Sequence, residues 1–187
     1  MNPVYAAALE LQIFCRDRRW RFCFIGGIAV QRWGEPRLTV DADLTLLTGF
    51  GGEESYVDAL LGAFRARIEG AREFALRRRV LLVEATNTIP LDVSLGAIPF
   101  EERVIERSSA FPIQEGASLM TCCAEDLIVL KTVAGRDQDW ADIRGVVDRQ
   151  AGRLDGKLTE RELLPLLELK GDTDAAERLR RILKPRA

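Results

Sequence analysis

The sequence predicts an α+β fold: a mixed β-sheet backed by helices, followed by a C-terminal helical bundle. Short apolar runs bounded by turn residues crowd the first part of the chain, up to about Gln114. From Ser118 onward the apolar spacing is helical to the end. Strands first and helices last fit a sheet domain with a helical extension packed on it. The expected division is residues 1–115 and 116–187.

Each element has a local reason. Pro3 to Arg18 reads as a helix, with Leu9, Ile13 and Phe14 apolar at helical spacing. Phe22 to Ile25 is a short apolar run ended by Gly26-Gly27 and reads as a buried strand; Ile28 to Trp33 then makes a short helix stopped by Gly34 and Pro36. Asp41 to Leu47 alternates, with Leu44 and Leu46 opposite in phase to Asp41 and Asp43, as in a strand. Gly49 to Gly52 is a turn, and Glu53 to Ile68 has the spacing of one amphipathic helix. Val80–Glu84 and Ile89–Leu95 read as a hairpin turned at Thr86-Asn87-Thr88. Pro99 to Arg107 is a short helix and Ala110 to Gln114 one more strand. Four helices follow, at Ala124–Ala134, Asp139–Gln150, Thr159–Lys170 and Asp174–Leu183.

Composition narrows the chemistry. The chain has 187 residues, 47% hydrophobic and 30% charged, enough to build a core. Its formal net charge of −2 nominates no partner, so nucleic-acid binding would need local basic patches. There is no histidine, which removes Ser-His-Asp and Cys-His sites, His bases and His metal ligands. A bound metal would have oxygen ligands, favouring Mg²⁺ or Mn²⁺. The cysteines (Cys15, Cys23, Cys122 and Cys123) form no C-x-x-C knuckle. With no basic-then-apolar leader and no apolar run near ~20 residues, the expectation is a cytoplasmic protein with reduced thiols and no membrane partner.

Three features in order carry the chemistry: Gly26-Gly27 between a strand and a helix, Asp41-Ala42-Asp43 at the start of the next strand, and Leu91-Asp92-Val93 in a later strand. Residues at i and i+2 on a strand share a face, so Asp41 and Asp43 can grip one ion, with Asp92 completing the cluster. Carboxylates this close repel unless a cation neutralises them. Glycines ahead of a helix let backbone N–H groups approach phosphate oxygens at the favourable end of the helix dipole. Asp-x-Asp also occurs at Asp137/Asp139 and Asp172/Asp174, but only the first follows a strand–Gly-Gly–helix unit.

The stretch Phe24-Ile25-Gly26-Gly27-Ile28-Ala29-Val30, then Arg37-Leu38-Thr39-Val40-Asp41-Ala42-Asp43-Leu44, resembles the signature of the polymerase-β-like nucleotidyltransferases, and Leu91-Asp92-Val93 resembles their third-carboxylate strand. Glu125 to Lys131, followed by Ala134 to Ile143, is similar to the helical segment of the AbiEii/AbiGii toxin branch. Together these span most of residues 22 to 147; the tail after Gln150 adds nothing to the likeness.

The resemblance implies a nucleotidyltransferase that moves a nucleoside monophosphate from an NTP to a hydroxyl acceptor on tRNA or protein, with an antitoxin as partner. Asp41, Asp43 and Asp92 would bind Mg²⁺ or Mn²⁺, and Asp92 would help deprotonate the acceptor. Gly26 and Gly27 would approach the triphosphate. Lys131 would be catalytic, reaching over the carboxylates to face the phosphates; Arg37 and Arg136 would join the nucleotide site, with Asp139 and Asp142 as the acidic positions after the lysine. Many members carry Ser where this chain has Gly27, so one hydroxyl contact to phosphate is missing. Read without the resemblance, Lys131 ends a buried helix and pairs with Glu125 or Asp126 on its surface, or shares a continued helical face with Gly135 and Asp139. The alternatives are an antibiotic-type small-molecule nucleotidyltransferase and a silent module that binds nucleotide or a partner chain. Basic residues around Trp20 (Arg16, Arg18, Arg19, Arg21), at Arg77-Arg78-Arg79, and at Arg178, Arg180, Arg181, Lys184 and Arg186 are candidates for an RNA surface.

Overall fold

The computed structural model describes residues 2–172 and 174–184; Met1, Thr173 and residues 185–187, Arg186 of the C-terminal basic run among them, lie outside the described residues. The chain divides into two compact units, Met1–Ile28 with Leu38–Cys122, and Ala29–Arg37 with Cys123–Ala187.

The first unit is built on a seven-stranded sheet in the order β3-β4-β5-β2-β1-β7-β6. Its strands are β1 (Phe22–Phe24), β2 (Ala42–Leu47), β3 (Arg65–Ala66), β4 (Val80–Glu84), β5 (Pro90–Gly96), β6 (Ser109–Gln114) and β7 (Ala117–Thr121). The sheet is mixed: β2 runs parallel to β5 and β1 parallel to β7, while the other neighbours are antiparallel. Helix α1 (Pro3–Asp17) starts with Asn2 accepting a hydrogen bond from the Val4 amide and Pro3 in its first turn. It buries Ala7, Ala8, Leu11 and Cys15 against the sheet face that carries Leu44, Leu46, Leu81, Val83, Leu91 and Val93. Gln12 is buried with them; its amide donates to the Ser118 carbonyl at 2.8 Å and accepts from the Met120 amide at 2.9 Å.

Two sequence expectations fail here. The segment 53–68 is not one helix: α3 (Glu53–Leu61) stops at Gly62, β3 follows as an edge strand, and an unforeseen helix α4 (Ala71–Arg78) begins after Gly70, whose φ is +63°. Val57, Leu60, Phe64 and Ile68 keep helical spacing straight across the break, and each is buried or packed on the core, so periodicity alone could not register it. The stretch after Ser118 opens with a strand: β7 forms a hairpin with β6 about Gly116, whose φ of +73° suits a residue without Cβ. Leu119 and Thr121 alternate inward, a period-2 signal hidden by the helical run behind it. Helix α5 (Pro99–Glu106) and the β4–β5 hairpin stand as expected.

Helix α2 (Gly26–Trp33) includes both glycines in its first turn and carries the chain into the second unit. That unit holds α6 (Ala124–Ala134), α7 (Asp137–Arg149), α8 (Gly156–Lys170) and α9 (Asp174–Leu183). Leu127, Ile128, Val129, Trp140, Ile143, Leu163, Leu167 and Leu179 are buried in it. The 34–35 turn runs tight against α7: a Cβ on Gly34 would stand 2.9 Å from Val146, and one on Gly145 3.1 Å from the Glu35 backbone nitrogen. Arg149 and Gln150 donate to the carbonyls of Gly34 and Trp33. Among the described residues no helix is long and apolar enough to cross a membrane, and all four cysteines are free thiols.

Candidate active site

The three predicted carboxylates all lie in the first unit, and two of them face each other. β2 and β5 pair in parallel with Asp43 directly opposite Asp92, so the two side chains leave the same face of the sheet on adjacent strands. Ala42 and Leu44 on one strand, Leu91 and Val93 on the other, point the opposite way and are fully buried. Alternation thus fixes the acids outward by burying their neighbours. Asp41 sits in the bend before β2, and the Thr39 hydroxyl donates to its carboxylate at 3.3 Å.

Asp92 has a partner the sequence did not announce. Arg67, immediately after β3, forms an ion pair with it. Burial pushes the Asp92 carboxyl above its usual range; Arg67 pulls it back down and the charge of Asp41 pushes it further up. Arg67 lay inside the segment read as helix, and without β3 nothing in the sequence points it at Asp92.

Gly26 and Gly27 are required by contact. Gly26 has φ +55°, and a Cβ there would fall on the Asp43 carboxylate; a Cβ on Gly27 would fall on the Thr39 hydroxyl. The carboxylate and the hydroxyl therefore lie against the N-terminal turn of α2, where backbone N–H groups have no helical acceptor. Among the described residues no group of three acidic or thiol side chains stands ready-made to hold a metal ion. The donors nonetheless fit an oxygen-ligated divalent cation in kind: all are carboxylates, two face each other in register, and the charge of Asp41 is felt at Asp92.

The second unit holds the other predicted residues in one buried ionic knot. Gly135 takes a left-handed conformation (φ +71°) and ends α6, so Lys131, Gly135 and Asp139 do not share a continuous helix. The new helix α7 instead turns Asp139 and Asp142, three residues apart, back toward Lys131. Lys131 is 5% exposed, and its ammonium lies 3.0 Å from Asp139 Oδ1 and 2.7 Å from Asp142 Oδ2. Its partners are these two, not Glu125 or Asp126. Arg37 adds a two-pronged contact to Asp142 at 2.8 and 3.0 Å, and Gln138 donates to it at 3.0 Å. Arg136, largely exposed, donates to Asp139 at 2.7 Å through Nε, while its backbone N–H donates to the same oxygen at 3.1 Å. Burial works against ionising Asp139 and Asp142, but these donors outweigh it and hold both carboxyls below their usual range.

Several basic residues of the proposed RNA surface have local partners. Arg21 pairs with Glu102 and Glu106, Arg18 stacks over Phe14, Arg79 donates to the Leu95 and Gly49 carbonyls, Arg178 lies over Trp140 and Arg180 pairs with Glu160.

Solved structures of similar fold are nucleotidyltransferases or resemble them. The chain is 14% identical to an antigenic nucleotidyltransferase-like protein from Paracoccidioides brasiliensis, over 94% of this chain and 91% of that one, with a TM-score of 0.53. It is 16% identical to ANT(2")-Ia in complex with adenylyl-2"-tobramycin, over 89% and 96%, at 0.52. The lincosamide antibiotic adenylyltransferase LnuA, lincomycin-bound, matches at 9% identity over 74% and 92%, at 0.50. No curated protein sequence matches the chain. At these identities the likeness defines a nucleotidyltransferase fold. Residues 13–172 match the nucleotidyl transferase AbiEii toxin family of type IV toxin–antitoxin systems, and the chain belongs to that family. It is a nucleotidyltransferase.

Proposed function

We propose that the protein transfers a nucleoside monophosphate from an NTP to a hydroxyl on RNA or protein, releasing pyrophosphate, as the toxin half of a pair whose antitoxin restrains it. The observation that carries the reading is the register that sets Asp43 opposite Asp92, with Asp43 seated on Gly26 at the start of α2. Asp41, Asp43 and Asp92 would hold Mg²⁺ or Mn²⁺, which when bound neutralises charge on the transferring phosphoryl group. The α2 N-terminal amides take phosphate oxygens, and Gly26 and Gly27 let them approach closely. The acceptor oxygen bonds to the α-phosphorus as the bond to the bridging oxygen breaks; pyrophosphate leaves with that electron pair. Asp92, half-buried beside a like charge, is the group suited to take the acceptor's proton. Lys131, Arg37 and Arg136 belong to the nucleotide site in this reading, with Asp139 and Asp142 holding the lysine.

The small-molecule alternative draws only on the fold shared with antibiotic adenylyltransferases, and family membership favours a macromolecular acceptor. The deciding experiment incubates the protein with each α-labelled NTP, Mg²⁺ or Mn²⁺, and either total RNA or a cell lysate stripped of nucleic acid. Label should enter one macromolecular fraction, and Asp43→Asn should cut this about 10³-fold. Nucleotide binding without transfer in any combination would support a silent module instead.

A further inference from the structure

The Arg67–Asp92 pair plays no part in the transfer step set out above, yet the sheet is organised to make it. β3 is a two-residue edge strand paired antiparallel with β4, with Ala66 opposite Val83. The next residue, Arg67, donates its backbone N–H to the Leu82 carbonyl at 3.1 Å. Leu82 is the partner of Asp92 on β5, and Asp92 of Asp43 on β2. Arg67 just past β3, Leu82 on β4, Asp92 on β5 and Asp43 on β2 thus form one row. Neighbouring strands lie about 4.8 Å apart, so Arg67 stands some two spacings from Asp92, a span that its long side chain covers and a short one does not. The guanidinium reaches Asp92 Oδ1 through Nη2, while its Nε is buried with no hydrogen-bond partner. Burying an unmet N–H is costly, so the placement is held by what the head group gains from the carboxylate.

We propose that Arg67 is a built-in counter-ion that competes with the divalent cation for Asp92. The proposal rests on the carboxylates being the metal ligands. Guanidinium and metal ion both draw on the lone pairs of one carboxylate, and two cations cannot share it without repulsion. Every ion that binds must therefore displace or weaken the Arg67 pair. Before the ion arrives, the same pair aims the Asp92 carboxylate along the row. Arg67 thereby sets how much divalent cation the site demands.

The test is a Mn²⁺ titration without nucleotide, reading free Mn²⁺ by its electron paramagnetic resonance signal. The parent should show a site that Asp43→Asn abolishes. Arg67→Gln and Arg67→Met should bind Mn²⁺ about five- to tenfold more tightly, at the low end of ordinary coupling between two sites. Arg67→Lys, which keeps the charge, should stay within about twofold of the parent. In an Asp92→Asn background the Arg67→Gln change should have no further effect, because the competition is gone. Equal or weaker binding in Arg67→Gln, with an Asp43-dependent site in the parent, overturns the counter-ion role and leaves the metal reading intact. Absence of any Asp43-dependent site in the parent overturns both. If the Arg67 variants fold poorly, the parent alone decides: the side-chain ¹⁵N resonances of Arg67 should shift as Mg²⁺ is added. A guanidinium signal that stays put while Mg²⁺ binds overturns the proposal.

Discussion

The carboxylate row of the first unit and the lysine knot of the second use the same residue types to opposite ends. In the row, acids lie near acids: Asp43 faces Asp92 across a strand pair, and burial and the charge of Asp41 push Asp92 up. In the knot, each acid is ringed by donors: Asp142 by Lys131, Arg37 and Gln138, Asp139 by Lys131 and Arg136, and both are held low. The row sets one internal cation, Arg67, on Asp92; the knot sets several donors on each acid. Breaking the knot should thus cost stability, whereas breaking the row should cost mainly activity.

The largest expected consequence is at Lys131. Its ammonium is buried between two carboxylates, so Lys131→Ala leaves both short of their shared donor, a type of loss that costs about 3–5 kcal/mol. A denaturant titration should show a lower midpoint with an unchanged slope. Asp43→Asn, by contrast, removes a charge that faces another acid and should lower the midpoint much less. If Lys131→Ala unfolds no more easily than Asp43→Asn, the two regions do not differ in this way. Whether transfer also depends on Lys131 is read separately, at a temperature where the variant is folded. A loss of ~10²-fold or more there marks a direct phosphate contact, and survival within a few-fold marks a purely structural lysine.

Much of the row was legible in the sequence because strand alternation states which way a side chain points. Leu44 and Leu46 opposite in phase to Asp43, and Asp92 between Leu91 and Val93, sufficed to place the acids outward. Arg67 was not legible, since Val57, Leu60, Phe64 and Ile68 continue a helical rhythm through a helix end, an edge strand and a turn. The knot was half legible. The residue types and spacing of Lys131, Arg136, Asp139 and Asp142 stood out, but their pairing depends on the break at Gly135, which turns one expected helical face into two helices meeting. Arg37, remote in sequence from Asp142, joins it only through the fold.

A smaller effect concerns Gly27. A side chain there would project onto the Thr39 hydroxyl, so a serine cannot be accommodated unless Thr39 moves. Gly27→Ser should cost about 1–3 kcal/mol, the usual range for overpacking. Adding Thr39→Ala should recover most of that loss by clearing the oxygen. A double variant no more stable than Gly27→Ser would mean that the glycine is needed for its backbone alone. The crowding is confined to the carboxylate side, so neither change should alter the knot.

The smallest effect is acid dependence, and it separates the regions by sign. Asp139 and Asp142 are held below the ordinary aspartate value of 3.8: burial alone would raise them, but Arg136 and Lys131 on one, and Arg37, Lys131 and Gln138 on the other, outweigh it. A carboxyl whose folded value lies below its unfolded value stabilises the fold fully above the unfolded value. That contribution drains away as pH falls through the folded value. The knot should therefore hold its strength at pH 5 and above and weaken progressively below about 4. Urea midpoints taken between pH 6 and pH 3 should fall for the parent. Asp139→Asn should start lower, having lost an ion pair to Lys131 and Arg136, but fall less steeply because one titrating group is gone. Parallel curves for parent and variant would show that Asp139 ionises alike in folded and unfolded chains, and that the donors around it add no net preference for its charge.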